Sequence, residues 1–395
     1  MNMSDNSVVI VGAKRTPIGS FQGLLSPLTA PQLGAAAVAA AVAQSGIAGA
    51  DIDDAVMGCC LFAGLKQAPA RQAVLGAGLP NSIPCTTLSK MCGSGMKAVM
   101  QIHDSIVAGN CSIGIAGGME SMTNAPYILT KARDGYRMGH GQLFDHMFHD
   151  GLEDAYDGKA MGYYADLVAE ARGISRERQD IFAAESVRRA QGAVQNGAFA
   201  DEIVPVEIVG RKGTTTVSTD ETPGKCDIAK IPALKPAFRK EGTITPANAS
   251  SISDGAAALV LTSAAEAKRR GIAPLARIVA SATYAADPQQ FPTAPVPAIK
   301  KTLAKAGWTV ADVDLFEINE EFAIVTMMAM DDLGIPADKV NVNGGACAMG
   351  HPIGATGARV LVTLIHALKQ RGLKRGIASM CIGGGEGSAM AIELI

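Results

Sequence analysis

Two cysteines and a histidine stand where their chemistry can be used. Cys92 lies in Met91-Cys92-Gly93-Ser94-Gly95, just ahead of a predicted helix over Met96–Val107. A thiol there meets the positive end of the helix dipole and unpaired N–H groups. That favours the thiolate and draws a cysteine pKa into the range of about 3.5–7.5. The flanking glycines let a bulky substrate approach the backbone. Taken singly, Cys92 reads equally as a small buried hydrophobe. His351 precedes Pro352, which suits the first turn of a helix running to about Gln370. A cysteine nucleophile needs a base, and a histidine can serve; a packing or capping histidine is the plain alternative. The glycines around His351 spell neither a P-loop nor a dinucleotide fingerprint.

Cys381 closes an apolar strand and is followed by Ile382-Gly383-Gly384-Gly385-Glu386-Gly387. Consecutive glycines leave backbone N–H groups free to hold an oxyanion, or simply turn the chain beside a buried thiol. Asn319, in Glu317-Ile318-Asn319-Glu320-Glu321-Phe322, ends another strand. It can hold a water or a substrate oxygen, or cap the next helix.

The elements that must position these residues occur twice. Ala50 to Gly58 aligns with Ala311 to Asn319, and Gly46 aligns with Gly307 at the same separation. Each block follows a predicted helix (Gln32–Ser45 and Pro297–Ala306) that ends at that glycine, a good C′ residue. Gly93 to His103 resembles Gly354 to His366, and both lead to an apolar strand and a glycine pair. By this repeat Cys92 and His351 hold nearly the same place in their halves. Alternating strands and helices in each half predict two α/β units side by side. Between them, from about Ser121 to Asn248, runs an unrelated segment richer in charge. It contains a hairpin-like pair (Ile203–Val209, Thr214–Ser218) and a predicted helix over Arg176–Asn196.

Composition narrows the classes of function. The 395 residues are 48% hydrophobic and 18% charged, with 35 basic against 37 acidic side chains. A net charge of −2 argues against a nucleic-acid or anionic-membrane surface. Eight cysteines without CxxC or zinc-ligand spacing suggest free thiols and a reducing compartment. The N-terminus carries no basic leader pattern, and the longest apolar stretch, Leu33 to Ala43, is too short to span a bilayer. The expected location is cytoplasmic.

Taken together and in this order, the pieces resemble the thiolase family, from about Val8 to Ile395. The family's CxG, NEAF, GHP and CxGxG motifs stand here as Cys92-Gly-Ser-Gly, Asn319-Glu-Glu-Phe322, Gly350-His351-Pro352 and Cys381-Ile-Gly-Gly-Gly. Gly117 to Met122 and Asn248 to Ala257 also look like family blocks. The resemblance implies an α/β, duplicated thiolase fold with an inserted loop domain. Residues 1–120 with 248–272 would form one half, 121–247 the loop domain and 273–395 the other half.

The implied activity is acetyl-CoA C-acetyltransfer, with coenzyme A as substrate and neither a metal nor an organic cofactor. Cys92 would be acylated, His351 would activate it and bind the thioester oxygen, and Cys381 would move the α-proton. Asn319 would hold a water in one oxyanion hole, and the N–H groups of Cys92 and Gly383 would form the other. Ser250, Ala249, Phe238 and Phe322 would contact coenzyme A. Lys225 and Lys230 are candidates for its phosphates, or an ordinary solvated face. The family also implies a homodimer or homotetramer, with acyl-CoA as the small-molecule partner and neither nucleic acid nor membrane.

Three positions depart from the family pattern. Ala160 replaces the histidine of a His-Met-Gly block, Glu321 turns NEAF into NEEF, and Glu386 follows the last glycines. Phe291-Pro292 lies where the family shapes its acyl pocket, and a ring there would favour short chains. The missing histidine at Ala160 keeps open a longer-chain 3-ketoacyl-CoA thiolase; a non-catalytic acyl-CoA binder should have lost Cys92, His351 or Cys381. Condensing enzymes of fatty-acid synthesis share the fold but lack the terminal CxGxG, so Cys381 counts against them.

Overall fold

The computed structural model describes residues 5–211 and 213–395. The strands in chain order are β1 (Val8–Arg15), β2 (Gly19–Ser20), β3 (Asp54–Gly58), β4 (Cys85–Leu88), β5 (Ile113–Ser121), β6 (Tyr127–Ile128) and β7 (Phe144–Asp145). They continue with β8 (Val206–Gly210), β9 (Gly213–Val217), β10 (Ser253–Ser263), β11 (Ala276–Ala285), β12 (Leu315–Ile318), β13 (Arg375–Ile382) and β14 (Glu386–Leu394). The helices are α1 (Ala30–Ser45), α2 (Pro69–Gly76), α3 (Ser94–Val107), α4 (Met161–Ala171) and α5 (Arg176–Gln195). After them come α6 (Ala264–Arg269), α7 (Pro295–Ala306), α8 (Ala323–Leu333), α9 (Ala346–Met349) and α10 (Ile353–Arg371).

The sequence repeat is a repeat of topology. The first half orders its strands β4-β3-β5-β10-β1 and the second β12-β13-β14-β11. β3 runs parallel to β5, as β12 does to β13. β10 is antiparallel to β5 and β1, as β14 is to β13 and β11. The halves join where β1 meets β11, at Val9↔Arg277 and Ile10↔Ala276.

Hydrophobic packing arranges these sheets in layers. Side chains of α3 and α10 form one core with residues of β1, β10, β13 and β14, so both helices lie between the sheets. α1 and α2 cover the outer face of the first sheet, while α7 and α8 cover that of the second. α10 is buried at every position from Ile353 to Leu368, as expected of a helix enclosed on all sides.

Local signals explain most element ends. α1 opens on a Thr29–Gln32 capping box, and α1 and α7 close on left-handed Gly46 and Gly307. Pro352, expected inside the first turn of α10, is its N-cap instead. The hairpin strands expected at Ile203–Val209 and Thr214–Ser218 are β8 and β9. β8 starts later because Ile203 bridges Arg15 and the Val204 N–H donates to the Arg15 carbonyl. Arg15 also anchors the inserted segment: its fully buried guanidinium donates to Glu202 at 2.6 Å and to Asp220 at 2.7 and 2.9 Å. Among the described residues no helix is long and apolar enough to cross a membrane.

Candidate active site

The nucleophile motif and the histidine motif meet because the central helices touch through glycine. A Cβ on Gly95 would lie 2.6 Å from the backbone nitrogen of Ala358, and one on Gly357 would strike the backbone of Met96. Only hydrogen at both positions allows this approach. Cys92 sits at the N-terminal end of α3, on a turn closed by the N–H groups of Gly93 and Ser94 donating to the carbonyls of Lys90 and Met91. Met91 takes a left-handed φ of 45° there, a strain of about 1–3 kcal/mol for a residue with a side chain. A Cβ on Gly93 would collide with the Ile382 side chain, so the loops carrying Cys92 and Cys381 also touch. Lys90 and Glu386 form an ion pair across the same loops.

His351 has a defined tautomer. Its Nδ1 lies 2.7 Å from Thr356 Oγ1, and that hydroxyl donates to the Pro352 carbonyl at 2.9 Å. The hydroxyl's one proton is thus committed, so Nδ1–H is the donor and Oγ1 the acceptor. Nε2 is left as the lone-pair nitrogen, buried and without a protein partner. Burial, reinforced by Arg359, lowers the His351 pKa to about 3. The resting imidazole is therefore neutral and able to accept a proton.

Cys92, Cys381 and Glu321 form a buried group. Glu321 Oε2 accepts from Cys381 Sγ at 3.0 Å and lies 3.6 Å from Cys92 Sγ. Burial, followed by the carboxylate, pushes both thiols well up. The expectation of a resting Cys92 thiolate is thereby corrected. The helix N-terminus and a hydrogen bond from the Gly383 backbone favour the anion, but burial beside an acid outweighs them. Burial also pushes Glu321 up to about 7. The donor atoms of Cys92, Glu321 and His351 lie within 4.8 Å of one another, the one such trio among the described residues that could hold a metal ion.

Cys92, Glu321 and His351 face a cavity of about 310 Å³, whereas Cys381 is fully buried against Glu321 and is not part of the lining. Cys92, His351, Glu321 and Gly383 line one wall; Ser250, Ala249, Phe238 and Phe322 line it as well. Wider grooves exist elsewhere, but none of their linings contains a cysteine or histidine. Asn319 is fully buried and is not part of the lining, with Nδ2 unpartnered and Oδ1 3.5 Å from Arg359. Arg359 in turn binds the buried Glu317 at 2.7 Å.

Ala160 lies on the cavity wall, so the missing histidine leaves open space. Phe291 is fully buried behind Phe322, ring centroids 6.3 Å apart. It is not part of the lining, and the expectation that its ring narrows the pocket is corrected. Glu386 belongs to the Lys90 ion pair rather than the cavity. Lys225 pairs with Glu221, and Lys230 with Asp227. Thr356 and Lys90 were not singled out from sequence. The only signal for Thr356 is its place on the first turn after His351-Pro352.

A duplicated α/β core that brings a cysteine and a neutral histidine to one apolar cavity, with a second cysteine one carboxylate away, defines a class: nucleophilic-cysteine group transfer. Comparison with known proteins then gives the family. The thiolase N-terminal domain profile matches residues 8–265, and the thiolase C-terminal domain profile matches residues 272–394. The chain belongs to the thiolase family. It is 49% identical to an acetyl-CoA acetyltransferase of Cupriavidus necator, over 98% of this chain and 99% of that one. It is equally 49% identical to acetyl-CoA acetyltransferase 2 of Arabidopsis thaliana, over 100% and 98%. The crystal structure of the Bacillus anthracis acetyl-CoA acetyltransferase superposes with a TM-score of 0.96 at 42% identity, covering 98% of this chain and 99% of that one.

Proposed function

We propose that the chain is an acetyl-CoA C-acetyltransferase, joining two acetyl-CoA into acetoacetyl-CoA and catalysing the reverse thiolysis. The observation that carries this reading is the free Nε2 of His351 beside Cys92, with Cys381 one carboxylate away, at the wall of an apolar cavity. His351 Nε2 takes the Cys92 proton as the sulfur attacks the thioester, and a neutral resting imidazole suits that task. Cys92 then carries the acetyl group. Cys381 removes the α-proton of the second acetyl-CoA, and the carbanion attacks the acyl-enzyme. The Gly383 N–H, already directed at Cys92, together with the Cys92 N–H stabilises the tetrahedral oxyanion. Asn319, with its unpartnered Nδ2, holds the water that assists His351 at the enolate oxygen.

The scheme calls for neither a metal nor an organic cofactor; coenzyme A is substrate and product. Ser250, Ala249, Phe238 and Phe322 contact its pantetheine arm along the cavity. Cytoplasmic location fits the eight free thiols, and a homodimer or homotetramer is the expected assembly.

A second reading, a longer-chain 3-ketoacyl-CoA thiolase, is favoured by one observation: the cavity is lined by the small Ala160 and not by the ring of Phe291. CoA-dependent cleavage of acetoacetyl-CoA beside 3-oxohexanoyl- and 3-oxodecanoyl-CoA separates the two. Fastest turnover of the four-carbon substrate supports the acetyltransferase, while preference for the longest supports the alternative. Binding without cleavage of any of them overturns both.

A further inference from the structure

Glu321 has no task in the scheme above, yet it is the side chain that touches both sulfurs. It enters the cavity wall from the turn before α8, with its carbonyl accepting from the Ser250 N–H at 2.8 Å. Its carboxyl is buried, pairs with no lysine or arginine among the described residues, and spans the space between Cys381 and Cys92. The titratable groups facing it are Cys92 from the loop before α3, Cys381 from the end of β13 and His351 from the turn before α10. The cavity lining adds no other acid or base. Neighbouring Glu320 is engaged elsewhere, accepting from Ser186, Asn341 and the Cys347 N–H.

The reaction proposed above has a proton to move along this line. Cys381 rests as a thiol donating to Glu321, so it must shed that proton before it takes one from the acetyl methyl group in the second half of condensation. When the tetrahedral intermediate collapses, the bond from carbon to Cys92 breaks and its electron pair stays on that sulfur. The turnover closes only when the proton shed by Cys381 reaches Cys92. We propose that Glu321 is a third catalytic acid–base group, carrying this proton between the two cysteines. The Cys381 S–H bond breaks as Oε2 of the carboxylate gains the proton, and the Cys381 thiolate takes the methyl proton and is a thiol again. The Glu321 carboxyl then releases its proton to the Cys92 thiolate and ends unchanged. In thiolysis the same steps run backwards: Glu321 takes the Cys92 proton, Cys381 gives its own to the α-carbon, and Glu321 returns a proton to Cys381. Burial supports the role, because it brings the carboxyl to about 7, where it both accepts and gives up a proton near neutral pH.

This inference rests on the acetyltransferase reading, and the test keeps the two apart. Native protein, Glu321→Gln and Glu321→Asp are each mixed with acetyl-CoA. Acylation of Cys92 is read by mass spectrometry, and condensation and thiolysis rates are followed against pH. Glu321→Gln keeps size and hydrogen bonding but cannot carry a proton. We expect it to acylate Cys92 as the native protein does, to lose about 100-fold in turnover, and to lose the limb of the pH profile near 7. Glu321→Asp recovers part of the rate and restores the limb. Turnover and pH profile of Glu321→Gln that match the native protein overturn the inference. Absence of acylation and cleavage in the native protein overturns the underlying reading instead.

Discussion

Replacing Thr356 by valine tests the chain of contacts behind the base. Its hydroxyl fixes the His351 ring by accepting from Nδ1–H at 2.7 Å while donating to Pro352 at 2.9 Å. Valine keeps the branched shape on α10 but removes the acceptor. The imidazole then either buries an unsatisfied N–H, at about 1–3 kcal/mol, or moves its proton to Nε2 and ceases to be a base toward Cys92. Either outcome charges that energy to the productive tautomer. At 1.36 kcal/mol per decade, kcat/KM falls about 5- to 150-fold. The assay is thiolysis of acetoacetyl-CoA, with the rate of Cys92 alkylation by iodoacetamide as a readout independent of substrate. Both should fall together, and Thr356→Ser should restore both. Native kcat/KM and alkylation in Thr356→Val would refute the tautomer assignment and with it the part given to Nε2.

Three further outcomes follow from the same physics. Arg15→Met leaves the carboxylates of Glu202 and Asp220 buried without a counter-charge. It should cost about 3–5 kcal/mol, seen as a lower urea midpoint; an unchanged midpoint contradicts the anchoring role. Gly357→Ala forces α10 away from the start of α3, so it should lose stability and most turnover together, and retention of both denies the contact. The His351 pKa lies below its ordinary value of 6.5, at about 3, so the unfolded chain binds more protons between these limits. The stability this contributes is present above about pH 6.5 and is lost as pH falls toward about 3. His351→Asn should therefore flatten the acid limb of the stability curve, and an equally steep limb rejects the assignment.

The repeat was legible because equivalent strands and helices need the same patterns, down to the closing Gly46 and Gly307. The motifs gave Cys92, His351, Cys381 and Asn319, since each stands at an element end where side chains are presented. What sequence could not give depends on neighbours from distant segments. A local rule, the helix N-terminus, predicted a Cys92 thiolate. Burial and Glu321, which arrives more than two hundred residues later in the chain, reverse that expectation. The place of Phe291 in the chain suits a pocket wall, but chain position does not tell whether a ring faces a cavity or stands behind another ring. Thr356 carries no distinctive signal, because a threonine in a first helical turn has many ordinary uses. Glu386 stood out as a charge, but its partner Lys90 belongs to the other half of the molecule.

The central claim is that the acyl group is carried on Cys92. Brief incubation with acetyl-CoA, acid quenching, and mass analysis of the intact chain and its peptides tests it directly. One acetyl group per chain is expected, on the peptide holding Cys92, discharged by added coenzyme A and absent from Cys92→Ser. An unacetylated protein that still cleaves acetoacetyl-CoA, or an acetyl group on Cys381 with Cys92 free, would contradict it.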